Sequence, residues 1–297
     1  MIVGIDNKTL IQCMKTHNVK LTQNAYDWIF SLNEKQTAML KDKDNALAEL
    51  YYLCDNNTQR NLIKDLLIRF NCFDEDIYNL ALLEIVKYVS NLGHKNNTTA
   101  IVAFCHDSNA DSSQEILQDL KVPITIELNY TIKTINRFDH LEKAYVSGYR
   151  HFIAVDEFSG SGQTICNRYN EFLRMNLADA TIDFCLVAGM SDAITQARKK
   201  GINVFVAYDM PKGISHYYSG SELDNYRKEM SLLEGKLANT IDRTELKDYL
   251  FGYRQSEALY SRLYRNVPNN VFPIMWWKCY KDNSKRNTIF DRVQDGY

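Results

Sequence analysis

The chain has 297 residues, of which 45% are hydrophobic, and a formal net charge of −2. This length suits one large domain or two small ones, with enough apolar residues to fill a sizeable core. The balance of 35 basic against 37 acidic side chains excludes a global positive field that would hold nucleic acid nonspecifically. The seven cysteines form no C-x-x-C pair, so neither a zinc site nor a disulfide framework is predicted.

No membrane partner is predicted. The first ten residues, MIVGIDNKTL, lack the basic and apolar regions of a secretory signal, and no apolar run approaches the ~18 residues of a membrane span. A cytoplasmic protein is therefore expected, and the sequence predicts nothing about its oligomeric state.

Residues 1–97 are predicted to form a helical N-terminal cap region. Apolar residues recur at helical spacing in three segments, which are LAELYYLC (47–54), NLIKDLLIRF (61–70) and IYNLALLEIVKYVSNL (77–92). Asparagine-rich turns separate these segments. No pattern of catalytic or metal-binding side chains stands out in this region.

Residues 98–210 are predicted to form an α/β core. Short apolar runs typical of buried strands alternate with helical segments, and the strands are expected at 99–105, 151–155, 181–189 and 202–208, with a further strand at 123–128. Such alternation predicts a Rossmann-like parallel sheet with helices on its faces. Ligands of these sheets bind beyond the carboxyl ends of the strands, where the loops 106–113, 156–164 and 208–216 are expected.

Residues 211–297 are predicted to form a C-terminal helical segment and a returning aromatic strand. The part from 217 to about 255 has a polar helical pattern. The stretch 258–280 is rich in aromatic residues and is broken by Asn-Val-Pro-Asn-Asn, which predicts a strand, a turn and a segment packed into the core.

The stretch VDEFSGSGQT (155–164) places two carboxylates before a loop of small residues. It lacks the lysine of a Walker loop and the third glycine of a dinucleotide fingerprint. A ligand that carries both a sugar and a phosphate fits better. Asp156 and Glu157 can accept hydrogen bonds from a ribose diol. Backbone N–H groups and hydroxyls of the following loop can bind a 5-phosphate, and these residues are Ser159, Gly160, Ser161, Gly162, Gln163 and Thr164.

This segment resembles the signature of the type I phosphoribosyltransferases. The family pattern is a hydrophobic strand, two acids, two variable residues, two Thr or Ser, Gly, any residue and Thr. FIAVDEFSGSGQT matches it throughout except at Gly160, where Thr or Ser is usual. The resemblance implies the family's Rossmann-like fold over roughly 100–210 and catalytic roles for Asp156 and Glu157.

The resemblance also implies ligand contacts in the two neighbouring loops. In the family the loop after the first core strand binds pyrophosphate, and here HDSNADSS stands in that place, with His106, Asp107 and Ser108 as candidates. That loop lacks a basic residue. Tyr208 and Asp209 follow the last clear strand, where the family often contacts the base. Phosphoribosyl pyrophosphate or a nucleotide is the implied ligand, with Mg²⁺ held by its hydroxyls and phosphates.

The C-terminal stretch GYRQSEALYSRLYRNVPNNVFPIMWW (252–277) resembles a bacterial phosphoribosyltransferase-like group of conflict and anti-phage systems. Some members are encoded beside retron reverse transcriptases. The resemblance implies an effector role and a reverse transcriptase with its nucleic acid as a partner. The alternative for the same stretch is core packing by Phe272, Trp276 and Trp277.

Three hypotheses of function follow from the residues. The first is an enzyme acting at ribose C1′, where preorganised carboxylates stabilise the positive charge that builds on the sugar. The second is a nucleotide sensor without turnover, which the missing basic residue favours. The third is a scaffold for partners. Turnover of a bound ligand would support the enzyme. Ligand binding without turnover would support the sensor, and no ligand binding would support the scaffold.

Overall fold

The computed structural model describes residues 21–33, 36–106, 112–129 and 131–293. Its helices are α1 (Gln23–Asn33), α2 (Thr37–Leu40), α3 (Asp44–Leu53), α4 (Asn57–Ile68), α5 (Glu75–Asn91), α6 (Ser112–Leu128), α7 (Leu141–Val146), α8 (Gln163–Arg174), α9 (Ser191–Lys199) and α10 (Gly220–Glu234). Its strands are β1 (Asn71–Phe73), β2 (Thr99–Ala103), β3 (Lys133–Ile135), β4 (His151–Ser159), β5 (Thr181–Met190), β6 (Val204–Met210), β7 (Thr240–Ile241), β8 (Thr244–Glu245) and β9 (Tyr260–Arg262).

The chain divides into two compact units. Residues Asp74–Pro211 form the first, which we call the sheet unit. The described residues up to Phe73 and from Lys212 onward form the second, which we call the discontinuous unit. Helix α5 thus belongs with the sheet by its contacts. The boundaries at 97 and 210 that the sequence suggests for a cap, a core and a C-terminal segment stay predictions.

The sheet unit is built on five parallel strands in the order β3-β2-β4-β5-β6. Helices α5 and α6 pack on one face. On the other face the apolar side chains of the strands meet those of α7, α8 and α9 in one hydrophobic cluster. This architecture confirms the predicted Rossmann-like α/β fold with a parallel sheet and N-terminal helices.

The central strands are buried on both faces, as their apolar runs predict. All five residues of β2 are buried, and β5 is buried from Ile182 to Met190. Strands covered by helices on both sides need no polar positions, so the sequence shows continuous apolar runs instead of alternation. The prediction of these strands is confirmed.

The strand expected at 123–128 is wrong, because α6 continues through Pro123 to Leu128. Leu120 and Ile124 are fully buried one helical turn apart, in line with Ile116. Proline inside a helix costs roughly 3 kcal/mol, and burial of this apolar stripe offsets that cost. The third strand of the sheet is instead Lys133–Ile135, which pairs with β2.

Strand β4 runs four residues past the end of its predicted range, 151–155. Asp156, Phe158 and Ser159 pair with Leu186, Ala188 and Gly189 of β5. The loop expected at 156–164 is therefore shortened to three residues, 160–162. Strand β2 ends at Ala103, which pairs with Val155, so β4 extends beyond β2 by about 13 Å at 3.3 Å per residue.

The discontinuous unit combines helices from the first part of the chain with α10 and an irregular C-terminal segment. Strand β1 pairs in parallel with β9, and Phe272, Trp276 and Trp277 are buried, which confirms the predicted packed aromatic segment. The helix expected from 217 to about 255 ends at Glu234. A β7–β8 hairpin follows, because Asp242 and Arg243 adopt the left-handed conformation of a tight two-residue turn.

Within the described parts of the chain, no helix is long and apolar enough to cross a membrane.

Candidate functional site

The end of β4 carries the two acidic side chains to the carboxyl edge of the sheet. Successive strand residues point to opposite faces, so Asp156 and Phe158 share the face of Ala154, whereas Glu157 and Ser159 share the other. Asp156 is half-buried, and Glu157 is only 8% exposed. The two carboxylates therefore differ in both direction and access to solvent.

Asp156 connects the ends of two neighbouring strands. Its Oδ1 accepts hydrogen bonds from the backbone N–H of Glu157 at 2.8 Å and from the Ser112 hydroxyl at 3.0 Å. Ser112 is the first residue of α6, which follows the loop after β2. Next to it, the Ser113 hydroxyl accepts a hydrogen bond from the backbone N–H of Cys105 at 3.2 Å. The acid thus lies on β4 just beyond the end of β2, where it meets the start of α6.

The turn between β4 and α8 depends on Gly162 for its conformation. This residue has φ +72°, and a Cβ built there would lie 3.2 Å from the carbonyl oxygen of Ala193. Glycine adopts this left-handed conformation at little cost, and its missing side chain permits the close approach. The turn delivers the N-terminus of the 12-residue helix α8 to the carboxyl edge.

The first turn of α8 presents small polar groups. The Ser161 hydroxyl accepts a long hydrogen bond of 3.4 Å from the backbone N–H of Gln163, and the Gln163 side chain donates to Asn167 at 2.6 Å. Thr164 is exposed. The first N–H groups of a helix have no acceptor inside the helix, and the helix dipole makes this end partly positive. This geometry suits a small anion.

His106 lies at the end of the β2 segment and contacts helix α8. Its Nε2 is 2.8 Å from Glu171 Oε2. The same oxygen is 3.4 Å from Arg168 Nη1, and Arg168 Nε donates to the carbonyl oxygen of Phe104 at 2.5 Å. Asp107 and Ser108, the other two residues expected to bind pyrophosphate, lie outside the described residues.

The pattern of the sequence did not single out Arg168 or Glu171. They lie three residues apart on α8, and only the fold brings them to the end of β2. The loop after β2 has no basic residue of its own, and α8 supplies one from the neighbouring βα unit. A charged pair on the helix that follows a candidate phosphate turn is the one local signal that could have indicated them.

Tyr208 and Asp209 lie on β6 itself and not in the loop after it. Tyr208 is the register partner of Ala188, which in turn pairs with Phe158, so the three side chains share one face of the sheet. Two strand spacings separate Phe158 from Tyr208, or about 10 Å. Tyr208 is half-buried and Asp209 is exposed. Their contact with a base stays a prediction.

No group of three or more His, Cys, Asp or Glu side chains converges on one point among the described residues. A resident metal therefore has no ready-made cage in this part of the chain. The cysteine of β5 is not a nucleophile either, because complete burial raises the pKa of the Cys185 thiol well above its ordinary value.

Two solved structures are similar to this chain at low identity. A hypothetical protein from Neisseria gonorrhoeae with bound ppGpp is 13% identical, with a TM-score of 0.33 over 54% of this chain and 93% of that one. A hypoxanthine-guanine-xanthine phosphoribosyltransferase is 12% identical, with a TM-score of 0.28 over 46% of this chain and 75% of that one. No curated protein is significantly similar to the chain.

The model of one protein family spans nearly the whole sequence. It matches residues 25–292, which include the β4–α8 turn, all five strands of the sheet and the aromatic C-terminal segment. The chain is phosphoribosyltransferase-like and belongs to the PRTase-CE family.

Proposed function

We propose that the protein binds a 5-phosphoribosyl compound at the carboxyl edge of the sheet and acts at its ribose C1′. The observation that carries the proposal is the three-residue turn that follows Asp156 and Glu157. This turn brings the positive end of a full-length helix to the same edge of the sheet as a half-buried carboxylate. A phosphate and a sugar diol joined in one ligand match these two features.

The 5-phosphate occupies the N-terminus of α8. There the backbone N–H groups of the first turn and the hydroxyls of Ser161 and Thr164 donate to its oxygens. The helix dipole adds roughly 0.3–1 kcal/mol per charge at an exposed site. Gly162 permits the sharp turn that brings these donors to the edge of the sheet.

The two carboxylates take different roles. Asp156 is half-buried at the edge and accepts hydrogen bonds from the ribose hydroxyls, as it accepts one from Ser112. Glu157 points to the other face and is nearly buried, so we assign it to positioning Asp156 and the turn. Negative charge beside the sugar ring favours the positive charge that develops there when the bond at C1′ breaks.

A pyrophosphate leaving group departs on the β2 side of Asp156, towards His106 and Arg168. Mg²⁺ enters this proposal as a companion of the substrate, because it binds through phosphates and one or two carboxylates and needs no protein cage. Asp156 is the residue that would contact it. The ion would supply neutralisation of the pyrophosphate charge.

One observation favours a second function, nucleotide sensing without turnover. At the end of β2, His106 and Arg168 already contact Glu171, and Arg168 also donates to the carbonyl of Phe104. Side chains engaged in this way are less available to a pyrophosphate than unengaged ones. Such a protein binds nucleotide through the same turn and releases no product.

We further propose that this activity serves as the effector of a bacterial anti-phage system of the retron kind. Support comes from the resemblance of the segment 252–277 to such a group. A reverse transcriptase with its nucleic acid is the expected partner. Loss of phage protection with Asp156→Asn in a cell that carries the complete system is the expected result, and full protection would contradict an effector role for this site.

Titration calorimetry with phosphoribosyl pyrophosphate and Mg²⁺ tests the site. Thr164→Glu puts a negative charge at the N-terminus of α8, where it stabilises the helix but repels a phosphate. We expect affinity to fall by about 10-fold or more. Asn170→Glu, an exposed position in the same helix, adds the same charge away from the turn and serves as the matched control.

Equal affinity of the two variants would show that the turn does not bind the phosphate. Release of pyrophosphate by the wild-type protein, measured with water alone and with purine and pyrimidine bases added as acceptors that replace pyrophosphate at C1′, separates the enzyme from the sensor. Binding without release in any of these samples favours the sensor.

A further inference from the structure

A cavity of about 570 Å³ lies within the discontinuous unit. Residues from three parts of the chain line it: the turn before α3, the β7–β8 turn and the C-terminal segment around 278–291. The volume falls within the range of about 300–1,000 Å³ that small-molecule sites occupy. The cavity contains none of the residues assigned above to the phosphoribosyl site.

Basic side chains dominate the lining. Lys43, Lys278, Lys285 and Arg286 contribute to it. Three carboxylates line it as well, and one of them, Asp291, lies 3.9 Å from Lys43 and is itself largely exposed. The basic side chains can bind an anionic group, and the carboxylates can accept hydrogen bonds from hydroxyl groups of the same ligand.

Arg286 gives the strongest indication of an anion. Its side chain is buried with 7% exposure, and its guanidinium donates to the carbonyls of Trp277 at 3.2 Å and Ile274 at 2.9 Å. Its Nε is buried with no hydrogen-bond partner among the described residues. In the same part of the chain, no carboxylate lies within 4 Å of it. Burial of this charge is costly and lowers the pKa of Arg286, although Tyr280 and the more distant Glu49 partly oppose that shift.

The buried acid Glu49 compensates the charge of Arg286 only in part and makes no ion pair with it. Glu49 is 2% exposed, and its oxygens accept hydrogen bonds from the Tyr280 hydroxyl at 2.8 Å and from the backbone and side-chain N–H groups of Asn287 at 2.9 and 2.7 Å. Its charge stabilises the wall of the cavity. The guanidinium of Arg286 keeps donor capacity for a ligand.

We propose that this cavity is a second binding site, for a phosphorylated small molecule of nucleotide size. Arg286 binds the phosphate from within, and Lys278 and Lys285 bind it at the rim. Asp42 and Asp242 accept hydrogen bonds from hydroxyl groups on the rest of the ligand. Occupation of the site places a negative charge in direct contact with Arg286 and stabilises the discontinuous unit by mass action.

Titration calorimetry on the full chain carrying Thr164→Glu measures this site apart from the sheet site, with inorganic pyrophosphate and adenosine 5′-monophosphate as probes. We expect at least one probe to bind with a Kd below about 1 mM. Adding Lys278→Glu should weaken binding by about 10-fold or more. Lys281→Glu, an exposed change three residues away that leaves the lining intact, should alter affinity by less than about 2-fold.

Three results would overturn the proposal: no binding of either probe, equal loss with Lys278→Glu and Lys281→Glu, or a rise in melting temperature with pyrophosphate that survives Arg286→Met. The methionine variant removes a buried charge but also the hydrogen bonds to the carbonyls of Trp277 and Ile274, so circular dichroism checks its fold, and the Lys278→Glu comparison decides the proposal if the variant does not fold. Because the sheet site is altered throughout, failure of this proposal leaves the proposed phosphoribosyl function untouched.

Discussion

The two units provide hydrogen-bond partners for their buried backbone groups in different ways. The sheet unit satisfies its central backbone through five parallel strands, and its interior beside α7, α8 and α9 is apolar. The discontinuous unit has little regular structure after α10, and it buries Glu49, Glu234 and Glu257 at 2%, 0% and 0% exposure. Where strands and helices do not pair N–H groups, buried carboxylates bind them instead.

Glu257 shows the second solution most clearly. Its Oε2 accepts from the backbone N–H groups of Ile214 at 2.9 Å and Ser215 at 2.7 Å, and its Oε1 accepts from the Ser215 hydroxyl at 2.6 Å and Arg227 at 2.5 Å. The segment that carries it has positive φ at four residues other than glycine, Phe251, Arg254, Gln255 and Glu257. The carboxylate contacts hold a strained backbone in place.

If Glu257 contributed little to the free energy of unfolding, buried carboxylates would not be what stabilises the irregular part of the discontinuous unit. Glu257→Ala leaves two backbone N–H groups and Arg227 without their acceptor in the interior. We expect the free energy of unfolding to fall by about 3–5 kcal/mol, as when one partner of a buried pair is removed. Chemical denaturation at pH 7 measures the loss. Glu222→Ala, an exposed change at the start of α10, should stay within about 0.5 kcal/mol.

Glu234, a second buried acid of the discontinuous unit, makes the free energy of unfolding depend on pH. Burial raises the pKa of Glu234 to about 8, and the charge of Glu257 adds to that rise. The hydrogen bond from the Phe251 N–H at 3.0 Å and the charge of Arg227 oppose it. The folded state therefore keeps this proton when the unfolded chain has lost it. The stability that the protonated group contributes is fully present below about pH 4.5 and is lost as the pH rises through about 8.

Glu234→Gln removes this titration and keeps an acceptor for Phe251. Relative to wild type, the variant should gain stability steadily between pH 5 and pH 8, by up to a few kcal/mol. Denaturation curves at one-unit intervals from pH 5 to pH 9 measure the difference. Parallel pH profiles for the two proteins would show that Glu234 is ionised in the folded state.

The smallest effect concerns the turn in the sheet unit. Gly162→Ala forces a side chain into the left-handed region and towards the Ala193 carbonyl, and we expect a loss of about 2 kcal/mol. Gly201 has a similar φ of +78° with no atom within 4 Å of a built Cβ. Gly201→Ala should therefore lower the free energy of unfolding by about 1 kcal/mol, the cost of the left-handed backbone alone. Equal losses in melting experiments would show that contact with Ala193 is unimportant.

The same contrast explains what the sequence could predict. Strands β2, β5 and β6 and the turn before α8 follow from local patterns, namely apolar runs and a glycine turn between a strand and a helix. The helix through Pro123 depends on the sheet face that buries Ile124, which no local pattern contains. The contact of His106 with Glu171 joins residues 65 positions apart. Glu257 lies in a polar stretch that resembles a surface, and only the fold shows its burial.

The pairing of β1 with β9 determines which unit can fold first while the chain is being synthesised. Asn71–Phe73 cannot pair with Tyr260–Arg262 until the chain has been synthesised through Arg262, whereas every strand of the five-stranded sheet is complete at Met210. Domains generally fold as units while the chain emerges, so the sheet unit can form first. Strand β1 must wait for a partner almost 190 residues away, and the helices before it must wait for α10 and the C-terminal segment. During that interval their apolar faces are exposed to aggregation and to chaperones.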